Sequence, residues 1–416
     1  MVNYVKKLVK DARQSSYKLA KLSAKAKNKA LAKMAGYLLK EKDYILRQND
    51  KDVELAKKNK TKSSFIDRLC LNQERINEMS TSLQEIARLP DCINRVITSW
   101  QRPNGLLIQK VRVPIGVVLI IYEARPNVTS DCAGLLFKTS NAGILRGGKD
   151  ALHSNKAIYN VLLKAVSESG IDFIPFFLVD KTAHRAVDLL LKENDYIDMV
   201  IPRGGEALVR KVVELSRIPV IKHYKGVCHI FIDKNINFKT ALDICVNAKV
   251  QRPSVCNAVE TILIHEKTAP KFLPLLKSEF DKYKVQMLGD TKTRKILKRV
   301  KKAQEKDWSE EYLDLIVSIK VVKDVDEAIN HINRYGSKHT DAIITKNIAN
   351  ISKFTREVDS ACCFSNISTR FSDGYQFGLG AEIGISTDKL HARGPMGAEE
   401  LTTYKYVVYG NGQIRT

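Results

Sequence analysis

One thiol among eight stands apart by its flanks. The segment Gln251-Arg252-Pro253-Ser254-Val255-Cys256-Asn257-Ala258 sets Cys256 in a polar, loop-like stretch with Arg252 close by, and its last residues could make one helical turn. A nearby cation and a helix N-terminus both favour thiolate, the form that attacks an acyl carbon. Most single cysteines are small buried hydrophobes. Cys245, on the apolar face of a helical run, and Cys362-Cys363, in a strand-like run, read that way. Two further segments suit an anion. Arg146-Gly147-Gly148-Lys149 and Ile201-Pro202-Arg203-Gly204-Gly205 each follow a strand-like run and precede a helical one. Glycine there lets the backbone approach a ligand, and the cations suit phosphate. Either could equally be an ordinary strand-to-helix turn; two in one region point to a nucleotide. The spacing GxGxxG is absent, which argues against an ordinary Rossmann dehydrogenase. The glycine-dense stretch 366–397 adds Arg370 and Arg393, side chains of the type that clamp carboxylate or phosphate. A surface loop is its plainer reading.

Elements must hold these residues in place. Apolar residues recur at helical spacing through the first ninety positions: Val5, Leu8, Ala12, then Leu19, Leu22, Ala26, Ala30, Met34 and Leu38, and later Ile66, Leu69, Ile76, Met79, Leu83 and Ile86. A hairpin follows over 100–113, turning at Asn104-Gly105. Then strands alternate with helices. Strands are expected at 117–121, 143–146, 176–179, 199–201 and 220–221, with helices at 155–168 and 183–192. After Gly226 the alternation resumes: strands at 229–233, 261–264, 316–322, 342–345 and 361–364, and helices at 238–250, 269–280 and 325–335. Such alternation means parallel βαβ units, hence two α/β domains. The run 402–409 is a terminal strand with no sheet of its own nearby in sequence, so it pairs with the hairpin or across a subunit boundary.

Composition narrows the class. With 44% hydrophobic and 28% charged residues, the 416-residue chain is neither a disordered tail nor a disulfide scaffold. No apolar run reaches the roughly 20 residues that span a bilayer. The first residues lack a secretory apolar core, and reduced cysteines without paired CxxC spacing suit a cytoplasmic protein that binds no metal. The formal charge is +23, and the first sixty residues hold 17 Lys/Arg against 6 Asp/Glu. That could mark a nucleic-acid-binding protein. The lysines, however, fall between the apolar positions and few aromatics interleave, so a solvated helix face is the favoured reading and no nucleic acid is expected.

The strings YEARPNVT (122–129), ILRGGKDALHSN (144–155), IPRGG (201–205), QRPSVCNA (251–258), EYLDL (311–315), STRFSDG (368–374), FGLGAEIGIST (377–387) and HARGPMGAEELTTYKYVV (391–408) resemble those of gamma-glutamyl phosphate reductases, in the aldehyde dehydrogenase superfamily. The resemblance covers nearly the whole chain. It departs at Lys149, where the family more often has Ser, and at Ser254, where it has Gly. It implies an aldehyde-dehydrogenase-like α/β fold: an NADPH-binding domain from 1–97, 115–225 and 375–400, a catalytic domain from 226–374, and a β oligomerisation element from 98–114 and 401–416. It implies NADPH-dependent reduction of L-glutamyl 5-phosphate to L-glutamate 5-semialdehyde and phosphate, the second step of proline biosynthesis, through a thioester on Cys256. Asn127 would be a weaker catalytic donor. Arg146, Gly147, Gly148, Lys149, Arg203, Gly204, Gly205 and Glu311 would bind cofactor, although Glu311 reads equally as an exposed Glu beside Glu310. Arg252, Thr369, Arg370 and Arg393 would bind substrate. A homo-oligomer is expected, and glutamate 5-kinase, which makes the acyl phosphate, is a candidate partner; the chain has no room for a fused kinase. The rival within the superfamily is a hydrolytic NAD(P)-dependent aldehyde dehydrogenase. It needs a general base for water, and the stretch 222–228 carries no carboxylate, only His223, which could act as a base or simply pack.

Overall fold

The computed structural model describes residues 1–123, 125–222 and 224–415, with the backbone alone at Ser63 and Ser64. His223 therefore lies outside the described residues. Contacts divide the chain into two units, one of residues 1–222, 378–384 and 396–416, the other of 223–377 and 385–395. Of the stretch 375–400 assigned above to the cofactor domain, 378–384 and 396–400 group with the first unit and 385–395 with the second.

The first unit opens with helices α1 (Val2–Leu19), α2 (Ala24–Lys40), α3 (Lys42–Lys58), α4 (Ser63–Leu69) and α5 (Gln73–Arg88). Their periodic apolar residues are buried, Val5, Leu8, Ala12, Ala30, Met34, Leu38, Ile76 and Leu83 among them. Most lysines of α1–α3 lie exposed or half-exposed. Lys27 is the exception: it is fully buried and paired with Asp91 at 2.8 Å. Next come β1 (Val96–Gln101) and β2 (Leu107–Pro114), turning at Gly105 with φ +87°. Then follow β3 (Val117–Tyr122), α6 (Asn127–Lys138), β4 (Ala142–Gly147), α7 (Leu152–Glu168), β5 (Phe176–Leu178), α8 (His184–Leu190), β6 (Met199–Arg203) and α9 (Glu206–Leu215). These strands make a parallel sheet in the order β5-β4-β3-β6. The chain walks outward from β3 through β4 to β5, then returns to the far side of β3. That reversal opens a crevice at the carboxyl ends of β3 and β6, the place where open α/β sheets take their ligands. The strand expected at 220–221 is a single bridge, Val200 to Val220. Pro219 has no N–H to extend the ladder, and only two apolar residues follow it.

The second unit holds β7 (Cys228–Ile232), α10 (Phe238–Val250), β8 (Val259–His265), α11 (Ala269–Lys282), β9 (Gln286–Gly289), α12 (Thr291–Ile296), β10 (Lys301–Lys302), β11 (Ile316–Val322), α13 (Val325–Tyr335), β12 (Thr340–Ile344), α14 (Ile348–Glu357) and β13 (Cys362–Ser365). Its parallel sheet runs β10-β9-β11-β8-β7-β12-β13. All seven residues of β8 and all five of β7 are buried, as a sheet covered on both faces requires. Phe272, Leu273, Leu276 and Phe280 of α11 pack on one face with Cys245 of α10; Ile329, Ile332 and Phe354 cover the other. Two short strands, β14 (Gly384–Ser386) and β15 (Gly394–Met396), form a ribbon. The final strand β16 (Thr402–Tyr409) lies antiparallel to β2, giving a three-stranded sheet β1-β2-β16 in the first unit. Tyr404, Tyr406 and Val408 on that strand are exposed.

Candidate active site

Cys256 lies in the turn between α10 and β8, at the amino-terminal edge of the second sheet. The helical turn expected after Pro253 is not there. Ala258 N–H closes a tight turn on Val255 O at 3.0 Å, and the run 259–264, rich in β-branched residues, takes the chain straight into strand β8. No described helix begins at this thiol.

Neighbours fix the loop from several sides. Gly226, just before β7, lies against the backbone of Cys256 so closely that any Cβ there would overlap the Cys256 carbonyl. The Gly226 N–H donates to Glu311 Oε1 at 2.8 Å. The Cys228 thiol donates to Cys256 O at 3.2 Å, and burial holds it far above the usual thiol range, so it stays neutral. Next door, Asn257 Nδ2 donates to Ser372 O at 2.8 Å. The segment 366–372 makes that possible by running from the carboxyl end of β12, where Thr345 N–H meets Asn366 Oδ1, to the amino end of β13, where Ser372 Oγ meets Cys362 Sγ. Behind the loop, Lys249 and Glu260 form a fully buried ion pair at 2.7 Å, and Lys249 also donates to Asp314 O. Burial pulls the Lys249 amine down and pushes the Glu260 carboxyl up.

Cysteine burial separates the thiols. Cys92, Cys132, Cys228, Cys245 and Cys362 are buried, whereas Cys70, Cys256 and Cys363 are half-exposed. Burial pushes Cys132 to about 12 and Cys363 to about 11. Among the half-exposed three, Cys256 is near Arg252 and Arg370, and Cys363 near Arg393. Arg370 Nε is held by Gln251 Oε1 at 2.9 Å. Burial first, then the like charge of Arg252, pull the Arg370 guanidinium down, while Asp373 and Cys256 act the other way. Arg393 is engaged elsewhere: it donates to Asp359 Oδ1 at 2.8 Å, in a cluster with Lys338 and Lys389. These partners, Lys389 foremost, hold Asp359 far below the carboxylate range. Thr369 is fully buried, and its hydroxyl meets no described partner.

In the first unit the two glycine turns stand at carboxyl ends of strands. Gly204-Gly205 follows β6, and Gly205 caps α9. Glu123, at the end of β3, accepts the Gly205 N–H at 3.0 Å, and a Cβ at Gly204 would meet its carboxylate. An anion is thus seated at the head of α9, as backbone N–H groups at a helix start favour. Arg203 packs against Gly384. At the other turn, Arg146 spends its terminal nitrogens on Gly147 O and Thr182 O, both at 3.0 Å, while Lys149 is exposed in a 3-10 turn leading to α7. Asn127 opens α6, and its Nδ2 donates to Asp131 Oδ2 at 3.1 Å. Within the second unit, then, Cys256, Arg252, Arg370 and Glu311 converge on one loop system. Within the first, Arg203, Gly204 and Gly205 share the β3/β6 crevice, and Arg146, Gly147, Gly148 and Lys149 share the turn after β4. Gly226, Cys228, Asn257 and Glu123 are contacts that sequence spacing does not reveal, because each partner is distant in the chain.

The sequence model of the Aldehyde dehydrogenase family matches residues 2–310. The chain belongs to the aldehyde dehydrogenase family. Within this family it is 51% identical over 406 residues to the gamma-glutamyl phosphate reductase of Thermodesulfovibrio yellowstonii, covering 98% of this chain and 97% of that one. It is 50% identical over 404 residues to the Clostridium botulinum (strain Alaska E43 / Type E3) protein of the same name, covering 97% and 98%. The crystal structure of gamma-glutamyl phosphate reductase from Thermotoga maritima superposes with a TM-score of 0.96 at 45% identity, covering 99% of this chain and all of that one. An acetylating aldehyde dehydrogenase from Geobacillus thermoglucosidasius, at 17% identity and TM-score 0.69, shares the aldehyde dehydrogenase fold. No helix of the described residues is long and apolar enough to cross a membrane.

Proposed function

We propose that this aldehyde dehydrogenase reduces L-glutamyl 5-phosphate to L-glutamate 5-semialdehyde and phosphate, using NADPH, in the synthesis of proline from glutamate. The observation that carries this reading is the setting of Cys256: a half-exposed thiol on a clamped loop beside Arg252 and Arg370, in a chain similar end to end to proteins of that name. The Cys256 thiolate attacks the acyl carbon, the acyl C–O bond to phosphate breaks, and phosphate leaves with its electron pair. A thioester remains on Sγ. NADPH, when bound, supplies the hydride that brings this acyl group to the aldehyde level, after which the C–S bond breaks and the thiolate is restored. The chain's own part is placement. Arg252 and Arg370 supply positive charge for the substrate's anionic groups. The Cys256 N–H is the donor we assign to the acyl oxygen. We assign the cofactor to the first unit. At Gly204 a side chain would strike Glu123, whereas Gly205, the cap of α9, stands in open space, and Arg203 beside them supplies positive charge for a phosphate-bearing ligand. Lys149, exposed and without a described partner, would meet a 2′-phosphate. The sheet β1-β2-β16, with its exposed aromatic side chains, is the surface we assign to self-assembly, the cytoplasm the site of action, and glutamate 5-kinase a source of substrate in the same compartment.

The deciding experiment runs the reaction backwards. Glutamate semialdehyde with NADP⁺ should turn over with phosphate present and nearly stop without it. Phosphate already carries negative charge and needs no base to attack the thioester, whereas water does. Brisk phosphate-independent formation of NADPH, with glutamate as product, would place the chain among the hydrolytic enzymes instead.

A further inference from the structure

Beside the nucleophile loop, the second unit holds a cavity of about 630 Å³ between α10 and the segment 366–376. That size is ordinary for a small-molecule site. Its lining is of mixed charge: Asp243 and Asp373 with Arg370, and the apolar side chains of Ile244 and Ile367. Asp243 is exposed on α10 and forms no ion pair with a described residue, although the chain carries 69 Lys and Arg. Asp373 gives one oxygen to the N–H groups of Tyr375 and Gln376; no described residue holds the other. Arg370 is fixed through Nε by Gln251, and its terminal nitrogens meet no described partner. The cavity is tied to the chemistry by two short links. Gln251 belongs to the loop that carries Cys256, and Asn257 bonds the carbonyls of Arg370 and Ser372. A second cavity, of about 550 Å³, shares Asp243, Asn247 and Gln251 but lies over α10 and α11 and does not reach the 366–376 segment.

We infer that the cavity between α10 and residues 366–376 reads the α-amino acid head of the substrate, with Arg370 on the α-carboxylate and Asp243 and Asp373 on the α-ammonium. This rests on the reading of Cys256 as the acyl acceptor for a γ-glutamyl group. A zwitterion presents one anionic and one cationic group on a single carbon, and a cavity that offers both partners selects it over a simple acid or a simple amine. Ile244 and Ile367 give the intervening methylenes an apolar wall. Arg252, outside the cavity lining, is then the cation left for the phosphate. Discrimination comes from the penalty for an unmatched charge: an analogue without the ammonium leaves Asp243 facing no described cation and Asp373 facing only Arg370.

The test compares glutamate semialdehyde with butanal, which has the reacting aldehyde and no amino acid head. Phosphate-dependent NADPH formation is measured for both with the unsubstituted protein, Asp243→Asn and Asp373→Asn. The readout is the ratio of kcat/KM for the two aldehydes, which does not depend on how much of each preparation is folded. In each variant the ratio should fall about tenfold or more, mainly through KM for glutamate semialdehyde. A ratio within about twofold of the unsubstituted protein in both variants would overturn this inference and leave the proposed reaction standing. Failure of the unsubstituted protein to use glutamate semialdehyde and phosphate at all would overturn both.

Discussion

At residue scale, the proposed reaction turns on one atom, Cys256 Sγ. Replacing Cys256 by Ser should lower the rate of reduction at least about a thousandfold and leave thermal unfolding unchanged, because a hydroxyl is a poor nucleophile near neutral pH and the side chain is only half-buried. Substantial remaining turnover in the coupled assay would remove Cys256 from the mechanism. Polar flanks were enough to single this thiol out in the sequence. What holds it was not legible, since Gly226, Cys228 and Ser372 lie 28 to 116 residues away and reach the loop only through the sheet. The arginines divide in the same manner. Spacing treats Arg146, Arg370 and Arg393 alike as anion clamps, yet Arg146 is spent on backbone carbonyls and Arg393 on Asp359, which leaves Arg370 facing a cavity. Lys149 is accordingly the residue to change for cofactor choice. Lys149→Ser should cut the preference for NADPH over NADH about tenfold, measured as the ratio of kcat/KM values. An unaltered ratio would take Lys149 out of cofactor selection.

At the scale of elements, the amphipathic helices and the strands were readable, the fully buried strands β3, β7 and β8 included, and a helix buried nearly all round was not. The helices at 238–250 and 325–335 and the strand at 316–322 stand where periodicity put them. Helix α6 gave no such signal. Ten of its twelve residues are buried, so no polar stripe marks a period. Helix α9 is amphipathic but short, and its start is announced only by the glycine pair. At Cys256 local chemistry suggested a helical turn, and the β-branched run that follows overrode it. The terminal strand illustrates long-range pairing: β16 bonds to β2 along all eight of its residues, although nearly 290 residues separate the two in sequence. Deleting 402–416 would strip β2 of a partner along its length and remove three exposed tyrosines. The expected result is loss of assembly, seen as a lower mass in light scattering, before any loss of the chemistry residues. An unchanged mass would make the tail dispensable for association.

For the molecule as a whole, the sequence charge of +23 has no single seat in the structure, since most lysines of α1–α3 lie exposed along helix faces. Stability with pH is more local. Burial pushes the Asp131 carboxyl up to about 6, against the hydrogen bonds from Ser82 and Asn127 that pull it down. A carboxyl raised on folding stabilises the fold fully below its unfolded value near 4, and that contribution is lost as pH rises through 6. Asp131→Asn, uncharged throughout, should therefore be more stable than the parent at pH 7.5 by on the order of 1–2 kcal/mol, with the gap closing toward pH 4. Urea midpoints at the two pH values check it; an equal gap at both would show that Asp131 titrates normally. The sheet β1-β2-β16 carries a different consequence. Its two rims, β1 and β16, are unlike each other. If copies join rim to the same rim, a twofold axis relates them and the union closes at a pair. If β1 of one copy meets β16 of the next, the series closes as a ring where the rotation divides the circle and otherwise grows as a fibre. Assembly of like rims would build particles from pairs, with even subunit numbers, and a variant that blunts only the β16 rim, measured by light scattering, tells such pairs from a head-to-tail series: β16-to-β16 pairs would halve in mass, and a head-to-tail particle would fall to single subunits.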